Sequence, residues 1–320
     1  MNTRQLGTDG PFLTVIGFGA WAIGGPWIYG WGRVDDEESI RAIHRAIDLG
    51  VNWIDTAAAY GFGHSEEIVA MALRGLSQDV FIATKCGLVP DGKGGVYRNS
   101  NPASMRREAE ESLRRLRRDH IDLYQIHWPD VNVPYEESWG TMVRLREEGK
   151  VRFIGVSNYD VPMLERCATV APVQSLQPPY SVFSRDVELE TLPHCFRQGI
   201  GVVAYSPMQS GLLTGRFDMN KVAPDDWRRD FYMFQEPFLP KALQFVDQLR
   251  PVAARYSKTV GQLAVSWVLR HPSMTAAIVG ARTTTQVEEN VGAADFEISP
   301  GDVQLIGEML QKQFFASNTE

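Results

Sequence analysis

Four residues in the first half of the chain carry side chains that can hold or move a proton: Asp55, Tyr60, Lys85 and His127. A tyrosine phenol, with an ordinary pKa near ~10, is a weak acid at neutral pH. A neighbouring ammonium favours the phenolate and would lower that pKa, and a carboxylate paired with the ammonium would hold it in place. A histidine can donate to a carbonyl oxygen and so orient it. Together the four would supply an acid for an oxyanion that forms as hydride reaches a carbonyl carbon. Nothing in the set forms a nucleophile–base pair for acyl transfer. His44, His64, His120, His127, His194 and His271 show no paired ligand spacing, so no metal is expected.

For these residues to meet, the surrounding elements must bring them to one face. A recurring unit does so: a helical pattern, a glycine, then a short β-branched run ending in polar residues. It reads Leu49-Gly50 into Val51–Asp55, Gly149 into Val151–Ser157, and Gly199 into Ile200–Tyr205. Glycine suits the left-handed position after a helix, and the apolar run suits a buried parallel strand. Strands are predicted near Val15–Phe18, Val51–Ile54, Val80–Thr84, Ile121–Ile126, Val151–Val156, Val173–Leu176, Gly201–Ala204 and Ala276–Val279. Eight strands with helices between them predict a (β/α)₈ barrel, one domain over residues 1–320.

Asp35 or Asp36 would cap a helix with Ile40, Ile43 and Ile47 on one face, and Asn101-Pro102 would open another carrying Met105, Ala109, Leu113 and Leu116. The run Arg114–Arg118 reads as a solvated face paired with Glu108, Glu110 and Glu111. Asp55 would end the second strand with Tyr60 in the following loop, Lys85 the third, and His127 the fourth. That is the end of a barrel where enzymes place their sites. Two long connections leave the same end, residues 87–101 and 206–240, and connections of that length are usually functional.

The composition fits such a fold. The 320 residues are 44% hydrophobic and 22% charged, and 32 basic against 39 acidic side chains leave a net charge of −7. That balance disfavours nucleic acid as a partner, and no apolar run approaches the ~20 residues of a membrane span. Three cysteines and no apolar leader predict a reduced, cytoplasmic protein.

Asp55-Thr56-Ala57-Ala58-Ala59-Tyr60-Gly61, Lys85 and Ile121–His127 resemble the Asp/Tyr/Lys/His tetrad of the aldo-keto reductase superfamily in order and spacing. Gly155–Asn158, Gln177, Tyr205–Pro207, Gly211–Gly215 and Ile278–Arg282 with Gln286 and Asn290 extend the resemblance over essentially the whole chain. It includes an N-terminal hairpin, Arg4–Leu6 with Leu13–Val15, that would close the barrel bottom. The pattern is most similar to bacterial general-stress and inositol-operon reductases and to potassium-channel β-subunits.

The resemblance implies that Tyr60 is the general acid/base, tuned by Lys85 and Asp55, with His127 orienting the carbonyl. It implies that Ser157, Asn158 and Gln177 hold a nicotinamide carboxamide and that Tyr205 stacks on its ring. Ser206, Leu212, Gly215 and Arg216 would line the pyrophosphate crossing, and Gly280, Arg282, Gln286 and Asn290 the adenosine end. Serine, asparagine and glutamine supply the donors and acceptors an amide needs. Gly17-Phe18-Gly19 and Gly61-Phe62-Gly63 do not complete a Rossmann G-x-G-x-x-G. An aromatic first loop (residues 20–32), with Trp21 and Trp27, joins Trp128 in a wall suited to flat or sugar-like substrates.

The expected activity is reversible, NADP(H)-dependent reduction of aldehydes or ketones to alcohols. Alternatives are a sugar or polyol dehydrogenase working oxidatively, and a slow nicotinamide-binding regulatory module. The absence of an extension before the barrel disfavours that module. A small molecule is the expected partner, and a monomer is the default. The phosphate preference rests on Arg282 beside a helix N-terminus with Thr283–Thr285, which together suit a ribose phosphate.

Overall fold

The computed structural model describes residues 1–315. A hairpin of β1 (Thr3–Gln5) and β2 (Phe12–Thr14) precedes the barrel. The barrel strands are β3 (Ile16–Gly19), β4 (Trp53–Asp55), β5 (Phe81–Cys86), β8 (Ile121–Ile126), β9 (Val151–Ser157), β10 (Ser175–Gln177), β11 (Gly201–Ala204) and β12 (Met274–Gly280). All eight run parallel, and β12 closes on β3 with Ala277 opposite Ile16 and Gly280 opposite Gly19. The fold is the eight-stranded α/β barrel expected from the sequence.

Local chemistry explains the surrounding helices. α1 (Asp36–Asp48) starts where the Asp35 side chain accepts from the Glu38 N–H, and it buries Ile43 and Ile47. α2 (His64–Leu73) follows β4. α3 (Pro102–Leu116) starts at Asn101, whose side chain accepts from the Ala103 N–H, with proline at the first helical position. The circuit continues through α4 (Tyr135–Glu147), α5 (Val161–Ala168), α6 (Thr191–Gln198), α7 (Phe238–Arg255), α8 (Val260–Leu269), α9 (Thr284–Val291) and α10 (Pro300–Phe314). No helix among the described residues is long and apolar enough to cross a membrane.

Two apolar layers hold the barrel. The larger lies between strands and helices. The smaller fills the barrel itself with Trp53, Ala83, Leu123, Val203, Ala276 and Ile278, stoppered from below by Leu6 and Leu13 of the hairpin. Gly17 makes room for Trp53, since a Cβ there would lie 2.2 Å from the indole ring.

The Arg114–Arg118 expectation needs correction. Arg115 is largely buried, with its Nε 2.6 Å from the Oε2 of Glu66, a fully buried carboxylate on α2 that also accepts from Thr84. Glu108 is buried too and bonds Gly87 and Ser104 rather than an arginine. Arg114 and Arg117 are exposed as expected and Arg115 also reaches Glu111 at 3.6 Å, so the helix carries an inner polar edge beside its solvated face.

Candidate active site

The tetrad meets at the C-terminal end of the barrel. Asp55 ends β4, Lys85 is the penultimate residue of β5 rather than its last, and His127 follows β8. Tyr60 sits in the loop after β4, whose path depends on Gly61 at φ +60°, pressed against the Gly24 carbonyl. The Lys85 ammonium is wholly enclosed and spends its three N–H bonds on Asp55 Oδ1 (2.7 Å), the Thr56 carbonyl (2.9 Å) and the Tyr60 hydroxyl oxygen (3.2 Å). With the ammonium donating to it, Tyr60 must direct its own proton elsewhere. The His127 ring stands nearly perpendicular to that of Tyr60, centroids 5.7 Å apart.

Electrostatics set the protonation states. Burial, then the Asp55 charge, pushes Tyr60 well above the ordinary phenol value, opposite to the lowering expected from Lys85. The enclosed ammonium spreads its charge over Asp55 and Thr56, so burial prevails and the phenol keeps its proton. Burial, then the Lys85 charge, holds His127 well below the ordinary imidazole range, so the ring is neutral near pH 7. Lys85 is itself lowered by burial, opposed by Asp55.

Asp55 and Gln177 join the proton-handling residues to the opposite side of the barrel. Gln177 donates from Nε2 to Asp55 Oδ2 at 2.8 Å, and its side-chain oxygen Oε1 accepts no hydrogen bond among the described residues. Ser157 donates to the Gln177 carbonyl at 2.7 Å. Asn158, at φ +63°, donates to the His127 carbonyl and accepts from the Tyr205 hydroxyl at 2.8 Å. Both ends of its amide are therefore already engaged. The Gln177–Asp55 bond escaped sequence reasoning because β10 and β4 are not neighbouring strands.

A cleft of about 890 Å³ opens over these residues. Ser157, Asn158, Gln177, Tyr205, Ser206, Arg216, Gly280, Arg282, Gln286 and Asn290 line it, as do Trp21, Trp27 and Trp128. Leu212 does not reach it; its side chain packs with Met233, Phe234 and Ala242 in a small core under the seventh-strand connection. Gly215 borders a smaller adjoining hollow. Arg216 pairs with Glu289 across the cleft at 2.8 Å. The Arg282 N–H donates to Gln286 Oε1, and its guanidinium lies 3.4 Å from the Trp31 carbonyl.

Several lining residues were not foreseen individually. Trp31 and Trp227 pack with Trp21, joining the first loop to the connection after β11. Tyr97 and Arg98 come from a hairpin of β6 (Leu88–Pro90) and β7 (Val96–Arg98) inserted after β5. The glycine-rich turn Asp91-Gly92-Lys93-Gly94-Gly95 was the available sign of it.

Comparison with known proteins agrees with this geometry. The profile described as "Aldo/keto reductase family" matches residues 15–311. Aldo-keto reductase YhdN of Bacillus subtilis is 41% identical over 293 residues, covering 90% of this chain and 87% of its own. The NADH-specific methylglyoxal reductase of Escherichia coli is 37% identical, covering 97% and 99%. Among solved structures, the glycerol dehydrogenase AKR11B4 of Gluconobacter oxydans superposes with a TM-score of 0.89 at 38% identity, covering 98% of this chain and 95% of its own. An aldo-keto reductase from Klebsiella pneumoniae in complex with NADPH gives 0.75 at 28% identity, covering 97% and 95%.

Proposed function

The chain belongs to the aldo/keto reductase family, and from that premise we propose that it is an NADP(H)-dependent oxidoreductase that reduces aldehydes or ketones to alcohols, reversibly. The observation that carries this reading is the hydrogen-bonded row Asp55–Lys85–Tyr60 with neutral His127 beside it, at the floor of one cleft.

The cleft fits a nicotinamide dinucleotide. Gln177 offers its unengaged side-chain oxygen Oε1 to an amide N–H, and Tyr205, fixed by Asn158, presents a flat ring nearby. Arg282, Gln286 and Asn290 line the far end, where a ribose phosphate would find a permanent cation. When bound, the reduced cofactor supplies hydride. Tyr60 then gives its proton to the substrate oxygen as negative charge develops there. Its phenol is held by the Lys85 donor, which stabilises the resulting phenolate. His127, neutral, can donate one N–H to the same oxygen without competing for charge. In the oxidative direction Tyr60 receives the proton back. The glycerol dehydrogenase similar over nearly the whole chain favours polyol oxidation as a second use of the same site.

The Tyr60→Phe variant removes the acid and little volume. We expect aldehyde turnover to fall by about 10²–10⁴-fold, the usual contribution of a general acid, while NADPH binding measured by fluorescence stays intact. Turnover within a few-fold of the parent would overturn the assignment.

A further inference from the structure

Of the charged side chains lining the cleft, Asp55 is paired with Lys85, and Arg216 with Glu289. Arg282 lies at the far end. That leaves Arg98, the last residue of β7, where the inserted hairpin faces the substrate side. No carboxylate lies within 4.0 Å of its guanidinium among the described residues. Asp130, which follows the Pro129 whose carbonyl Arg98 meets, is turned inward to the N–H groups of Ser100 and Asn132.

Arg98 is nonetheless held. Its guanidinium lies 5.1 Å from the centroid of the Trp128 ring, and Nη1 donates to the Pro129 carbonyl at 3.3 Å. Stacking leaves the other edge of the planar fork free to donate. The hairpin that carries it is pinned at its base: Gly87 donates to Glu108 Oε2, Asn99 to the Gly87 carbonyl, and Ser100 to Asp130 Oδ2. Trp128, its platform, directly follows His127. One segment therefore places both a carbonyl-orienting imidazole and a seated, uncompensated cation.

We propose that Arg98 is a specificity-determining residue that selects carbonyl substrates bearing a carboxylate at the end remote from the reacting group. The aromatic walls accommodate the body of such a molecule and Arg98 takes its charge through a forked, charge-assisted contact. This rests on the reading of the cleft as a carbonyl-reducing site. The guanidinium is exposed in the open cleft, so the contact gains strength only as the bound substrate displaces water from it.

The test compares 3- and 4-carboxybenzaldehyde with their neutral carboxamide counterparts in the parent, Arg98→Gln and Arg98→Lys. The expected result is a parental kcat/KM ratio that favours the acid of at least one pair. That ratio should fall about 10- to 100-fold in Arg98→Gln and only partly in Arg98→Lys, which keeps charge but not the flat fork. In parallel, tryptophan fluorescence follows binding of 4-methylbenzoate and 4-methylbenzamide, which need no turnover. Selective loss of benzoate binding in Arg98→Gln supports the proposal even if no aldehyde is reduced, an outcome that would sink the catalytic reading instead. Acid-to-amide ratios and benzoate binding that are both indifferent to Arg98 would overturn it.

Discussion

Glu108 offers a quantitative test of how the barrel wall is held together. Its carboxylate, on α3, is buried and takes hydrogen bonds from the Gly87 N–H (2.9 Å) and the Ser104 hydroxyl (3.1 Å). Burial raises its pKa; Gly87, Ser104 and the more distant Arg107 pull the other way without matching it, and Glu111 adds a little upward. The carboxyl moves from 4.5 to about 7. Between those values the folded chain holds a proton that the unfolded chain has lost, so stability falls as pH rises. The contribution is fully present below pH ~4.5 and gone above pH ~7. At 1.36 kcal/mol per pH unit, the loss across that window is about 3 kcal/mol. Glu108→Gln keeps an acceptor for Gly87 and turns an N–H toward Ser104, yet never ionises. Urea unfolding of parent and variant at pH 5 and pH 8, compared at matched m-values, should show the variant gaining about 2.5 kcal/mol relative to the parent, since pH 5 already lies inside the window. A stability difference that stays constant with pH would refute the reasoning.

Three further outcomes are expected. Arg115→Met strands the fully buried Glu66 carboxylate and should cost about 3–5 kcal/mol, much of it recovered when Glu66→Gln is added; thermal melts of both variants check this, and equal melts would discount the pair. Gly17→Ala sets a methyl against the Trp53 ring and should cost about 1–3 kcal/mol or more, with a changed near-ultraviolet dichroism. Arg282→Ala should weaken NADPH about 10- to 100-fold by fluorescence titration and NADH hardly at all; equal losses would remove the ribose phosphate from its role.

Periodicity and punctuation made the barrel readable. Ile121–Ile126 and Gly201–Ala204 coincide with β8 and β11 because each is a short apolar run bounded by turn residues. Val51–Ile54 starts two residues ahead of β4, which begins at Trp53; Asn52 just before it turns its side chain to the hairpin, accepting from the Thr14 N–H, while its carbonyl still takes the Phe81 N–H. The tetrad residues showed themselves through strand-end spacing. Arg98 did not: its hairpin has strands of three residues, too short for alternation to stand out. The Arg115–Glu66 pair was hidden for another reason. Its partners are 49 residues apart on different helices, and nothing local distinguishes an inward arginine from its solvated neighbours.

The closing seam of the barrel also governs when the chain can become itself. β3 pairs with β12 some 260 residues away, and Arg4 reaches the carbonyls of Leu269 and Met274. During synthesis, which proceeds from the N-terminus, Ile16–Gly19 emerges early and stays without one of its two partners until nearly the whole polypeptide has been made. Leu6 and Leu13 likewise wait for a barrel floor that does not yet exist. Contacts this distant along the chain are slow to form and leave strand edges open in the interval. The nascent protein is therefore most exposed to self-association just before its eighth barrel strand emerges from the ribosome.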